Sequence, residues 1–235
     1  WTEGTATFMI LGNICTRSCG FCNVQTGSPL PADKFEPFKV ARSINIMGVK
    51  HAVLTSVDRD DLKDGGSVIW AETVKAVRDL NPQTTIETLI PDFKGETDNI
   101  DRIIEVAPEV VSHNLETVKR LTREVRVQAK YDRSLEVLKY LKVNGINRTK
   151  SGLMLGLGEE KEEVLETLND LRDVGVDIVT LGQYLQPSKK HLQVKSFISP
   201  EEFKEFEIIA KDMGFRHVES GPLVRSSYKA QKHIL

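Results

Sequence analysis

The sequence predicts an α/β fold, an open (β/α)6 version of the TIM-like barrel, on three observations. Short apolar runs rich in β-branched residues recur along the chain, helical apolar stripes lie between them, and polar residues collect just after the runs. Strands alternating with helices predict a parallel sheet, and about six such units fit within roughly 190 residues. A doubly wound parallel sheet is the alternative. In either architecture chemistry sits beyond the carboxyl ends of the strands.

The elements follow in order. Runs at 6–12, 51–57, 84–90, 110–116, 151–156, 178–185 and 217–224 are too short for helices and are bounded by Gly, Pro or polar clusters. Val40, Ile44 and Met47 share a helical face, and Gly48 suits the position just past its end. Val74, Val77 and Leu80 form a second stripe, which Asn81-Pro82 stops. Leu135, Leu138 and Leu141 form a third. Val164, Leu168 and Leu171 form a fourth, with Glu159 to Glu163 at its start, where carboxylates suit the helix dipole. Ser199-Pro200-Glu201-Glu202 reads as a capping box with Pro at the first helical position, ahead of Phe203, Phe206 and Ala210. The reading is one domain over 1–235, with a core over about 6–190 and a C-terminal extension over about 196–235.

Composition narrows the function classes. The chain has 235 residues, 40% apolar and 28% charged, which is ordinary globular usage. No stretch approaches about 18 apolar residues, so no membrane span is expected. The net charge of −2 and 6% aromatic content argue against a broad nucleic-acid-binding face. The chain begins at Trp1, so a leader would not be visible in it. The three cysteines fall within eight residues, which is not a disulfide framework and points to a metal site in a reducing compartment.

Those cysteines carry the chemistry. Cys15-Thr16-Arg17-Ser18-Cys19-Gly20-Phe21-Cys22 has the spacing C-x3-C-x2-C. Three thiolates on one loop can hold three corners of a four-iron cubane and leave the fourth iron open. Zinc is the competing reading, but a structural zinc wants a fourth protein ligand, which would be His51 or His113.

With Phe21 before its last cysteine, this motif resembles the signature of radical S-adenosylmethionine (SAM) enzymes. Further segments resemble the lipoyl synthase family over nearly the whole chain: Gly4 to Gly12, Thr55 to Leu62 with Asp64-Gly65-Gly66, His113-Asn114-Leu115-Glu116, Lys150 to Met154, Gly156-Leu157-Gly158-Glu159, Leu181 to Pro187, and Gly221-Pro222 with Arg225-Ser226-Ser227-Tyr228. The resemblance implies a partial barrel of the radical SAM type. It implies a [4Fe–4S] cluster on Cys15, Cys19 and Cys22 with S-adenosylmethionine at its open iron, and no catalytic side chain beyond the cluster ligands. It implies two sulfur insertions, at C6 and C8 of a protein-bound octanoyl-lysine, and an auxiliary [4Fe–4S] cluster as sulfur donor. Members carry C-x4-C-x5-C just upstream of the matched region, and its last cysteine would immediately precede Trp1. That triad and a C-terminal serine hold the auxiliary cluster. Ser227 is the best match to that serine and Ser226 the second choice.

For S-adenosylmethionine the candidates are Thr55, Ser56, Asn114, Glu116, Arg126 and Gln183, with Tyr184 beside them. Each also has a plainer reading, as a strand end, a helix-start carboxylate or a solvated arginine. The implied partners are an octanoylated lipoyl carrier domain or a glycine-cleavage H-type protein, a flavodoxin- or ferredoxin-like electron donor, and iron–sulfur assembly proteins, with no nucleic acid and no membrane. The implied location is the cytoplasm, or an organellar matrix if a transit peptide has been removed. Two other motifs are discounted. Asp58, Asp60, Asp61 and Asp64 lack the ligand order of a calcium loop, and Gly156-Leu157-Gly158 lacks the third glycine of a dinucleotide fingerprint. Lys189, Lys190, His191 and Lys195 form a basic cluster that is either a carrier-docking patch or a solvated loop.

Overall fold

The computed structural model describes residues 4–234. Seven parallel strands form one sheet: β1 (Thr5–Ile10), β4 (His51–Ser56), β5 (Thr85–Leu89), β6 (Val110–Ser112), β7 (Thr149–Leu155), β8 (Ile178–Gln183) and β9 (His217–Gly221). Two short strands, β2 (Ile14–Cys15) and β3 (Gln25–Thr26), pair beside the mouth. The helices are α1 (Glu36–Met47), α2 (Ser67–Leu80), α3 (Thr97–Glu105), α4 (Thr122–Val125), α5 (Tyr131–Val143), α6 (Lys161–Asp173) and α7 (Pro200–Asp212).

Strand order follows chain order from β1 to β9 without reversal. A doubly wound sheet reverses its order at a switch point, so that alternative is set aside. Six strand-then-helix units are present, and the run at 217 adds a seventh strand, in register with β8 from Ile178↔His217 to Gly182↔Gly221. Such a sheet is an open barrel.

The local rules act where expected. Gly48 ends α1 in the left-handed region at φ 61°. Ser199 Oγ accepts from the Glu202 amide at 3.2 Å, and Glu202 accepts from the Ser199 amide at 2.9 Å, closing the capping box of α7. Helix α3 had no sequence expectation. It is nine residues long and commits only Asn99, Ile100 and Ile103 to the interior, too short a stripe to stand out.

Side-chain alternation sorts the strand residues into two layers. Ile86 joins the cluster formed with Val74 and Val77 of α2, so Glu87 turns to the lumen. Leu153 and Leu155 pack with Val164 and Leu168 of α6, so Lys150, Gly152 and Met154 turn inward. Among the described residues no helix is long and apolar enough to cross a membrane.

Candidate active site at the barrel mouth

The cysteine loop follows β1, at the carboxyl end of the sheet, and is held from three sides. The Thr16 amide donates to Asp58 O at 3.0 Å, the Gly20 amide to Val125 O at 2.9 Å, and the Leu192 amide to Gly20 O at 3.0 Å. Arg17, only 5% exposed, supplies the strongest hold. Its guanidinium meets Asp60 at 2.7 Å, Asp92 at 2.6 Å and Asp58 at 3.4 Å. Asp92 is fully buried and also takes Arg133 at 3.2 Å and the Lys94 amide at 3.0 Å. Burial opposes the charge on each partner, but Asp60 and Asp92 hold the guanidinium protonated, and Arg17 holds the Asp92 carboxyl far below its usual range.

Cys15, Cys19 and Cys22 line one cavity of about 330 Å³. Cys15 Sγ accepts from the Asp58 amide at 3.3 Å and the Arg17 amide at 3.4 Å, contacts that favour a thiolate. Burial pushes all three thiols up, Cys19 to about 12, with the nearby Asp58 charge acting in the same sense and Arg126 opposing it. Without a metal these thiols stay neutral at pH 7, and a cation at the site would deprotonate them. Three thiols facing one roomy cavity fit a cluster whose separate irons take one sulfur each.

Neither zinc candidate reaches them. His51 opens β4 at the opposite end of the strand from the mouth and bonds Thr85 Oγ1 at 2.8 Å. His113 has both ring nitrogens engaged, with Ile90 O and Ser134 Oγ, each at 2.9 Å. Burial, then Arg126, pulls its pKa down to about 4 and keeps it neutral. Among the described residues no three His, Cys, Asp or Glu side chains group as ligands of a single ion.

Most of the other expected residues gather at the same cavity. Thr55, Ser56, Asn114, Glu116 and Arg126 all line it. Ser56 Oγ and Asn114 Oδ1 are buried without a hydrogen-bond partner, so each is available to a ligand. Asn114 Nδ2 donates to Glu116 Oε1 at 3.0 Å and to Ser226 Oγ at 2.9 Å. Burial raises the Glu116 carboxyl, against the pull of Arg126. Arg126 commits one nitrogen to Leu115 O at 3.0 Å and Ser134 Oγ at 3.2 Å.

Asn114 and Glu116 also line an adjoining cavity of about 230 Å³ with Gly152, Gln183 and Ser226. There the Gln183 amide is already engaged. It donates to Tyr184 O at 3.0 Å and Ser196 O at 3.1 Å, and accepts from the Ile198 amide at 2.9 Å. In this structure it ties down the loop after β8. Tyr184 is likewise bound to Leu192 O at 2.7 Å. Of the two serines, Ser226 reaches the mouth through Asn114, while Ser227 is half-buried beside it.

Sequence reasoning gave no role to Arg17, Glu87 or Lys150, and placed Asp92 only among the polar residues that collect at the strand ends. The readable signal was an arginine inside the cysteine loop and charged residues inside otherwise apolar strands.

Comparison with known proteins sharpens the picture. The model of the radical SAM superfamily matches residues 9–171. The lipoyl synthase of Christiangramia forsetii is 75% identical over 234 residues, covering 100% of this chain and 80% of that protein. The mitochondrial lipoyl synthase of Nematostella vectensis is also 75% identical, with the same coverage of 100% and 80%. Among solved structures, the FeFe-hydrogenase maturase HydG from Carboxydothermus hydrogenoformans superposes with a TM-score of 0.72 at 16% identity, covering 98% of this chain and 65% of that one. That likeness is one of fold.

Proposed function

The chain belongs to the lipoyl synthase family of the radical SAM superfamily, and from that premise we propose that it inserts two sulfur atoms into a protein-bound octanoyl-lysine, at C6 and C8, as a sulfurtransferase. The observation that carries this reading is the set of three thiols facing one mouth cavity, with Asn114 joining that cavity to Ser226. Cys15, Cys19 and Cys22 would hold the [4Fe–4S] cluster that the superfamily implies. When bound, the cluster supplies the electron that cleaves S-adenosylmethionine to a radical able to take hydrogen from an unactivated C–H, and an auxiliary cluster on upstream cysteines and Ser227, with Ser226 second, supplies the sulfur.

The chain's own residues do the positioning. The clamp of Asp58, Asp60 and Asp92 on Arg17 holds the cysteine loop at the mouth. Ser56 and Thr55 would take polar groups of the cofactor's methionine end, and Asn114 and Glu116 its ribose hydroxyls, with Arg126 as a carboxylate partner. Met9, Leu89 and Ile90 give the cavity its apolar wall, which limits water beside a reactive species. Partners would be an octanoylated lipoyl carrier or H-type protein, a flavodoxin- or ferredoxin-like reductant and iron–sulfur assembly proteins. Thiols that must stay reduced suit the cytoplasm or an organellar matrix.

An anaerobic assay tests this. The chain, and a form extended upstream, are reconstituted with iron and sulfide and given reductant, S-adenosylmethionine and an octanoyl-lysine peptide. The expected result is 5′-deoxyadenosine from both and lipoyl product from the extended form alone. Cluster-loaded protein that yields no deoxyadenosine would sink the radical reading.

Carrier docking is proposed for the exposed Lys189 and Lys190. Reversing both to Glu is expected to weaken binding of an acidic octanoylated carrier by about tenfold at low salt and to flatten its salt dependence. Unchanged affinity and unchanged salt dependence remove the docking role.

A further inference from the structure

Below the mouth, the lumen holds a charge pair that the proposed chemistry does not use. Lys150 on β7 is fully buried, and its Nζ meets Glu87 Oε1 on β5 at 2.7 Å. Glu87 is 1% exposed, and the rings of His233 and His51 stand off its other carboxylate oxygen at 3.9 and 4.0 Å. Taking two charges out of water is costly, so their presence in a lumen that apolar side chains could fill calls for a reason.

The C-terminal segment supplies one. After β9 the chain turns back into the barrel. A Cβ at Gly182 would lie 2.3 Å from Val224 O, so glycine there lets the segment enter. Ser226 then sits between two strands of the wall, with Oγ on Asn114 of the β6 end and its carbonyl oxygen on Lys150 Nζ. His233 Nδ1 lies 3.4 Å from the same ammonium. The segment continues to the other end of the sheet, where Arg148 donates to Ile234 O at 2.9 Å and Thr5 Oγ1 to Gln231 Oε1 at 3.0 Å. Val224, Ala230 and His233 are buried along this path.

We propose that Lys150, with Glu87 as its counter-ion, is a positioning residue that threads residues 224–234 through the barrel lumen and so holds Ser226 and Ser227 at the mouth. An ammonium has three donors. Here one neutralises its charge on Glu87, which leaves others for the serine carbonyl and the histidine that follows. Other ties along the path are neutral or backbone groups, the Lys229–Glu219 ion pair at 3.5 Å and Arg148 at the sheet's far end. Lys150 is a charged donor that bonds Ser226 itself. The proposal rests on the function above only for what the two serines do. The anchoring itself stands on the geometry.

Hydrogen exchange on this chain tests it without any activity measurement. The variant Lys150→Met leaves Glu87 buried and unpaired and is liable to misfold, so the paired variant Lys150→Met/Glu87→Leu carries the test. Replacing both members of a buried pair by apolar groups commonly preserves the fold. The expected result is amide exchange over residues 224–234 faster by about tenfold or more, with exchange in β4 to β8 unchanged. Segment amides as protected as in the parent protein would overturn the proposal. So would acceleration spread evenly over the whole barrel, since that marks a pair that merely stabilises the fold. Neither outcome depends on sulfur insertion, whose failure the anaerobic assay detects separately.

Discussion

Replacing Asp92 by alanine is expected to cost about 3–5 kcal/mol of folding stability, among the largest losses available from one side chain in this protein. Asp92 is fully buried and neutralises two arginines at once, Arg17 at 2.6 Å and Arg133 at 3.2 Å. The alanine variant leaves the buried Arg17 with Asp60 and a longer contact to Asp58, and leaves Arg133 without this partner. A loss near 3 kcal/mol in a chain of this size corresponds to roughly 6–12 °C in Tm. Denaturant unfolding followed through Trp70, which is fully buried, gives the measurement. Asp92→Asn keeps an acceptor for Arg17 but loses the charge, so its loss should be smaller. The sign with pH follows from the same contacts. Arg17 holds the folded-state carboxyl far below its unfolded value of about 3.9. The advantage of the parent protein over the variant is therefore full above about pH 5 and shrinks as pH falls through the acid range. An alanine variant within 1 kcal/mol of the parent at pH 7 would show that the clamp is not what holds the cysteine loop.

What the sequence made legible follows from the range of each interaction. Strand and helix periods repeat every few residues, so the barrel could be read as a pattern. So could the capping box of α7, whose two bonds span three residues. The cysteine motif was legible because all three thiols sit on one turn. The clamp was not, since Arg17 finds its carboxylates 43 and 75 positions away. Nor was the lumen pair. Lys150 and Glu87 are 63 residues apart, and each looks like a surface charge until alternation along its strand turns it inward. Gln183, read from its place at a strand end as a cofactor contact, lines the adjoining cavity, and its bonds to the 196–198 segment were not legible. Helix α3 was too short to produce a periodic signal.

The second large effect separates holding a metal from holding the loop. Cys19→Ala is expected to strip most of the iron from the reconstituted protein and to drop 5′-deoxyadenosine formation to that of the protein-free mixture. Two thiolates cannot fix three corners of a cubane. Yet the same variant should keep its fold within about 1.5 kcal/mol of the parent, measured on metal-free protein. Cys19 makes no ion pair, and its neighbours Gly20 and Cys22 are held through backbone bonds that an alanine preserves, to Val125 O at 2.9 Å and to the residue 19 carbonyl at 3.1 Å. Asp92→Ala should show the reverse ranking: a large loss of stability in metal-free protein, and iron uptake that falls only as the fold does. If the loop and the thiols formed one indivisible unit, both variants would lose iron and stability in parallel. The side chains divide the two tasks even though Arg17, Asp58 and Asp92 line the same cavity as the thiols: Asp92 neutralises Arg17 and Arg133, whereas Cys19 makes no ion pair. Iron content measured beside denaturation midpoints for the two variants decides whether clamp and thiols are separable in this way.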